Sequence, residues 1–146
     1  MITIAAATCL ALNVYFEARD QSIDGQRLVA EVTIERTALV GYPKDICGVV
    51  YENRAFSWTQ DGKSDEPEDA KAWLRAQIVA NEALLNGCEL CTGATHYATV
   101  DALPHWAPDL EVLGLWGDHI FYRDPGAHHV RPRPRPVNLN KGDLPK

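Results

Sequence analysis

The stretch Leu10-Ala-Leu-Asn-Val-Tyr-Phe-Glu-Ala-Arg19 places a carboxylate, Glu17, where a buried helix would ordinarily carry a hydrocarbon. At about 3.6 residues per turn, Ala6, Leu10, Asn13 and Glu17 fall nearly in line, with Val14 beside them and Cys9, Leu12 and Phe16 on the neighbouring face. A helix that is apolar round most of its circumference is enclosed on several sides, so Glu17 is expected to point inward, partly desolvated among Val14, Tyr15 and Phe16. Desolvation favours the neutral acid and raises its pKa, which a general acid working near neutral pH requires. The same spacing also suits a structural carboxylate paired with Arg19 or Arg36, and both readings stand at this level.

Other residues able to do chemistry lie in three later segments. Phe56-Ser-Trp-Thr-Gln-Asp-Gly62 alternates aromatic and polar residues and ends in Asp61-Gly62, which predicts a hairpin strand or extended loop with Ser57 opposite Phe56 and Trp58. Gly93-Ala-Thr-His-Tyr97 and Leu103-Pro-His-Trp-Ala-Pro108 are rich in rings and hydrogen-bonding groups. Gly117-Asp-His-Ile-Phe-Tyr122 reads as a final strand that returns His119 or Tyr122 toward the core. The rings of Trp58, Tyr97, Trp106 and Tyr122 can stack on sugar faces or fill a core, and at least half are expected in the core. Cys88-Glu-Leu-Cys91 stands without a second CxxC or a pair of histidines, so no metal is expected. Cys9 reads as a small buried hydrophobe, and a disulfide between Cys47 and Cys88 or Cys91 is open for a protein outside the cytoplasm.

These groups need a frame. The first helix is expected from about Thr3 to Arg19, followed by a second that Asp24 caps and that carries Leu28, Val32 and Leu39 on one face. After Gly41, Pro43 opens a short helix that turns Ile46, Val49 and Val50 to the core. A long helix then presents Trp73, Leu74, Gln77, Ile78, Asn81, Leu84 and Leu85 as its inner stripe and ends at Gly87. Glu66, Glu68 and Asp69 complement its dipole, which makes them structural rather than catalytic.

The 146 residues suffice for one domain with a real core. A net charge of -6 and a pI near 5.3 exclude a general nucleic-acid binder and remain compatible with carbohydrate. No run approaches the roughly 20 apolar residues that span a bilayer, so a soluble chain without a membrane anchor is expected. The apolar N-terminus lacks a basic region and a cleavage site before the first helix, and reads as mature protein rather than a signal peptide. His128-His-Val-Arg-Pro-Arg-Pro-Arg-Pro136 is expected to be extended, either a solvated terminus or a weak attractor of anionic envelope polymers.

Taken in order, Phe16-Glu-Ala-Arg19, Gly25-Gln26, Val29-Ala-Glu-Val32 with Arg36, Tyr42-Pro-Lys-Asp-Ile-Cys-Gly-Val-Val-Tyr51, Phe56-Ser-Trp58, Ala94-Thr-His-Tyr97, Pro104-His-Trp-Ala107 and His119-Ile-Phe-Tyr122 resemble the cell-wall hydrolase family of the SleB and CwlJ type. The resemblance spans about Leu10 to Arg123 and implies a mainly α (α+β), lysozyme-like single domain with a central buried helix and a small β-hairpin or sheet. It sets a catalytic domain over residues 1–125 and an Arg/Pro-rich tail over 126–146. It implies cleavage of peptidoglycan between N-acetylmuramic acid and N-acetylglucosamine, with the family's catalytic Glu falling on Glu17. The chain departs from the family at Asp20-Gln21, where Gly-Glu is usual, and at Glu35-Arg36, where Asn-Arg is usual.

With one clear carboxylate, a lytic transglycosylase is favoured over a hydrolase. Ser57 and His96 would hydrogen-bond the N-acetyl group or steady developing charge, while Phe56, Trp58, Tyr97, Trp106 and Tyr122 would wall the sugar groove. The expected partner is the peptidoglycan glycan strand, with no cofactor and a monomeric chain. The alternatives are an N-acetylmuramoyl-L-alanine amidase using His96, His105 or His119, and a non-catalytic glycan-binding module. The lack of a visible export signal suits a phage endolysin held in the host cytoplasm until lysis and acting in the periplasm and wall.

Overall fold

The computed structural model describes residues 3–130, which form four helices and one small sheet. Helix α1, Ile4–Ala18, starts where the Thr3 side chain accepts a hydrogen bond from the Ala6 amide and lies at the centre of the molecule. Leu10, Val14 and Tyr15 are fully buried in it. The Tyr15 hydroxyl accepts from the amides of Glu68 (3.2 Å) and Asp69 (3.1 Å), fastening the entry of the last helix to the first.

Helix α2, Ile23–Thr37, is helical through its β-branched Val32-Thr33-Ile34 run because burial against α1 overrides local propensity. Its cap is Ser22, whose hydroxyl accepts from the Gly25 amide at 3.2 Å, rather than Asp24, which sits in the first turn and complements the dipole. The short α3, Ile46–Val50, turns Ile46, Val49 and Val50 inward as expected, with Asp45 as its cap and Pro43 outside it.

Helix α4, Ala70–Asn86, corrects the expected inner stripe. Ala72, Ala76, Val79, Ala80 and Ala83 face α1 and α2, whereas Leu74, Ile78 and Leu85 are 59%, 49% and 72% exposed. Small side chains let helix axes approach closely, so the phase follows the alanines and not the bulkiest hydrocarbons. Gly87 ends the helix with φ of 75°, as its position predicts. Arg27 on α2 ties this end down through ion pairs with Glu82 and Glu89.

Three antiparallel strands, β1 (His96–Thr99), β2 (Glu111–Trp116) and β3 (His119–Arg123), lie in the order β1-β3-β2. His96 pairs with Tyr122 and Thr99 with His119, and β2 carries an irregularity between Val112 and Gly114. Strand β2 has no counterpart in the sequence reading. The β2–β3 turn docks on the end of α1 through Gln21, which donates to Asp118 Oδ2 (2.9 Å) and accepts from the Asp118 amide (3.0 Å). Gln21 is therefore a clamp between the end of α1 and the sheet.

Where a strand or extended loop was expected, at Phe56–Gly62, the chain makes a 3-10 turn, Ser57–Thr59. Trp58 is drawn into the core there, and its indole N–H donates to Asn13 Oδ1 at 2.8 Å, while Asn13 donates to Thr33 Oγ1 at 3.2 Å. An amide buried at the helix centre needs such partners, and the turn supplies one. At the other end, Val40 and Val130 amides donate to the carbonyls of His128 (2.8 Å) and Ala38 (2.7 Å), so the chain is bound to the body as far as Val130. The Arg/Pro run beyond it lies outside the described residues.

The cysteine expectations are overturned. Cys9 pairs with Cys47, joining α1 to α3, and Cys88 pairs with Cys91. Glu31 lies beside the second bridge, but its oxygens accept from the amides of Glu89, Leu90 and Cys91 at 2.9 to 3.3 Å. A loop anchor accounts for that cluster.

Candidate active-site cleft

A cleft of about 250 Å³ opens where α1 ends, bounded by the loop after α3 and by β1. Glu17 lies half-buried in its floor, as its helical phase predicts. The Tyr97 hydroxyl donates to Glu17 Oε2 at 3.1 Å. Burial raises the Glu17 pKa and outweighs the opposing effects of the Tyr97 hydrogen bond and the Arg36 charge. Tyr97 itself is held as a neutral donor, since burial and the neighbouring Glu17 push its hydroxyl well above the ordinary tyrosine range.

The structural pairing of Glu17 with an arginine does not form among the described residues. Arg19 points away and donates to the Tyr15 hydroxyl at 3.2 Å. Arg36 lines the cleft, its Nε donating to the Thr95 carbonyl at 2.9 Å and its guanidinium lying over the rings of Tyr42 and Phe56. Glu35, the other half of the Glu35-Arg36 departure, turns away from Glu17 and pairs with His129.

His96 sits on the opposite wall beside Trp106, with ring centres 4.9 Å apart. Burial and the Arg36 charge lower its pKa to about 4, so the imidazole is neutral at physiological pH. Its Nδ1 lies 2.9 Å from the Thr95 hydroxyl, whose oxygen already accepts from the Asp124 amide. The hydroxyl oxygen keeps a second lone pair, so the contact with Nδ1 forms in either tautomer and holds the ring in place. His96 is in this way a fixed neutral imidazole.

Of the residues expected at the site, Glu17, Phe56, His96, Tyr97 and Trp106 line one cleft. Ser57, Trp58 and Tyr122 are not among its lining residues. Ser57 is exposed on the turn, opposite Phe56 and Trp58, which are 4% and 5% exposed. Tyr122 is buried with its ring 5.1 Å from that of Trp106 and faces a separate apolar groove on the outer side of the sheet. The three histidines also separate: His105 is exposed, and His119 is buried on the sheet beside the Tyr97 ring. The sequence reading brought Arg36 near Glu17 only as a possible ion-pair partner, and did not bring Tyr42, Glu52, Asn53 or Arg54 to this wall.

The fold as a whole matches that of two SleB catalytic domains. The catalytic domain of the Bacillus cereus SleB protein superposes with a TM-score of 0.67 at 27% identity, covering 84% of this chain and 93% of that one. The catalytic domain of the germination-specific lytic transglycosylase SleB from Bacillus anthracis gives 0.69 at 27% identity, covering 84% and 97%. Residues 20–122 match the Cell Wall Hydrolase family, and the chain belongs to it. Spore cortex-lytic enzymes of Oceanobacillus iheyensis and Halalkalibacterium halodurans are 33% and 34% identical over 116 and 113 residues, 77% of this chain in each case. The aligned part is 39% and 33% of those proteins, so the chain spans well under half the length of these relatives. Glu17 lies just before the matched segment.

Proposed function

We propose that this chain cleaves the glycan of peptidoglycan between N-acetylmuramic acid and N-acetylglucosamine as a lytic transglycosylase, with Glu17 as the single acid and base. The observation that carries the reading is a half-buried carboxylate, biased toward its protonated form, in a cleft walled by Tyr97, His96 and Trp106. Glu17 gives its proton to the glycosidic oxygen as the bond from that oxygen to the muramic acid C1 breaks. The resulting carboxylate then takes the proton of the muramic acid C6 hydroxyl as that oxygen bonds to C1, closing a 1,6-anhydro ring. No water is consumed, and Glu17 ends protonated.

Tyr97 supports both halves. Its hydrogen bond to Oε2 steadies the carboxylate between the two transfers and leaves Oε1 to carry the moving proton. The Nε2 edge of the His96 ring is placed to hydrogen-bond an acetamido or ring-substituent group, and Trp106 offers a flat face to a sugar. The two disulfides agree with a site of action at the cell wall, outside the reducing cytoplasm.

One observation favours hydrolysis as a second reading: Glu52 also lines the cleft and would serve as the base for a water. Mass analysis of digested murein separates the outcomes. Anhydro ends that vanish in Glu17→Gln and persist in Glu52→Gln support the proposal, whereas reducing ends that require both residues establish the hydrolase. Free stem peptides would establish an amidase, and the absence of products a binding module. A folded Glu17→Gln protein retaining more than about a tenth of the activity overturns the mechanism, since general acids contribute about 10²–10⁴-fold.

A further inference from the structure

The cleft contains a buried cation that forms no ion pair with the carboxylates of its walls. Arg36 is 8% exposed, and a guanidinium at that depth is ordinarily held by a carboxylate, because stripping water from a charge costs several kcal/mol. Among the described residues it forms no ion pair. One of its five N–H groups is used, on the Thr95 carbonyl, and its flat faces rest 5.3 and 5.4 Å from the ring centres of Tyr42 and Phe56. These contacts hold the guanidinium in place and leave its two terminal nitrogens without a hydrogen-bond partner among the described residues. Its charge reaches Glu17, His96 and Tyr97 together.

A second arginine stands at the mouth. Arg54 is exposed in the loop after α3, with its backbone in the left-handed region at φ 63°, a strained conformation of the kind that gathers at functional sites. Against these two cations the lining offers Glu52 and Glu17, and burial biases Glu17 toward its neutral form. The cleft is thus cationic on a chain whose net charge is -6.

We infer that Arg36, assisted by Arg54, receives a free lactyl carboxylate of muramic acid, so that the preferred substrate is a glycan strand from which the stem peptides have been removed. The inference rests on the proposed glycan-cleaving role. The acetamido sugars of the strand are neutral, and the lactyl group is ionised only when no peptide is joined to it. A guanidinium fork binds a carboxylate through two parallel charge-assisted hydrogen bonds, whereas an amide carbonyl in the same place accepts without bringing a charge. A hydrolysis of the bond between lactyl group and peptide must therefore supply the substrate.

The test compares peptide-free glycan strands, prepared with an amidase, with the same strands whose lactyl carboxylates are capped as methylamides. The wild-type protein is expected to show a kcat/KM at least tenfold higher on the free strands. That ratio should fall below about threefold in Arg36→Gln, and partly in Arg36→Lys, which keeps the charge and loses the fork. Arg54→Gln alters an exposed side chain and should lower the ratio in part, which keeps the test open if the Arg36 variants do not fold. Equal cleavage of the two strands by the wild type, or an unchanged ratio in folded Arg36→Gln, overturns the inference. If neither strand is cut, the glycan-cleaving proposal fails by itself, and calorimetric affinities decide the receptor: at least tenfold tighter binding of free strands supports it, and equal binding overturns it.

Discussion

Replacing Tyr97 by Phe removes one hydroxyl and tests the chemistry of the cleft more sharply than deleting the acid. That hydroxyl donates to Glu17 Oε2 at 3.1 Å. A hydrogen bond to a charged group contributes about 1.5–3 kcal/mol, and this one is worth most when Glu17 is a carboxylate, midway between giving and reclaiming its proton. Losing that stabilisation predicts a fall in kcat of roughly 10- to 150-fold, with KM little changed because Tyr97 supports the acid more than the bound sugar. The pH profile carries an independent signature. Tyr97 lowers the Glu17 pKa against the larger effect of burial, so its removal leaves only the Arg36 charge to oppose burial and extends the protonated range upward. The alkaline fall in activity should therefore move to higher pH. The assay is initial-rate release of muropeptides from purified murein over pH 4–9, with circular dichroism to verify the fold. A folded Tyr97→Phe protein with kcat within twofold of wild type and an unmoved alkaline limb would refute the role assigned to this pair.

Glu17→Gln should stabilise the protein at pH 8. Because burial raises the folded-state pKa of Glu17 above its unfolded value, the stability it contributes is full below the unfolded value and is lost as pH rises through the folded one. The gain in Tm of the variant should accordingly shrink toward pH 4, and a gain independent of pH would contradict the assignment. Trp58→Phe leaves Asn13 Oδ1 buried without its indole donor and should cost about 1–3 kcal/mol in urea unfolding, with the products of murein digestion unchanged. Cys9→Ser with Cys47→Ser opens a 38-residue loop and should cost about 4 kcal/mol by loop entropy, against under about 2 kcal/mol for the three-residue separation of Cys88 and Cys91. Denaturant midpoints of the two double variants give the order directly.

The inward placement of Glu17 was legible in the sequence because helical phase is a local property: once Leu10, Val14 and Tyr15 are committed to the core, a residue one turn on has no other direction. The same locality made α3, the Gly87 stop and β3 readable, and the ordered motifs carried the family and its α+β fold. Tertiary structure decided what depends on partners. The inner face of α4 follows its alanines because α1 and α2 come close enough to demand small residues, and no count of hydrocarbons along one helix contains that distance. Trp58 belongs to the core because Asn13, 45 positions earlier, needs a donor, and Cys9 finds Cys47 because α3 packs on α1. Arg36 shows the division most clearly. Its position on α2 was readable, but whether it would neutralise Glu17 or stand free beside it depended on Thr95, Tyr42 and Phe56, three residues brought to it from three separate segments. Sequence alone set the direction in which the acid points, and packing set the charge around it, because a side chain's phase follows from its own helix while its electrostatic surroundings come from segments distant along the chain.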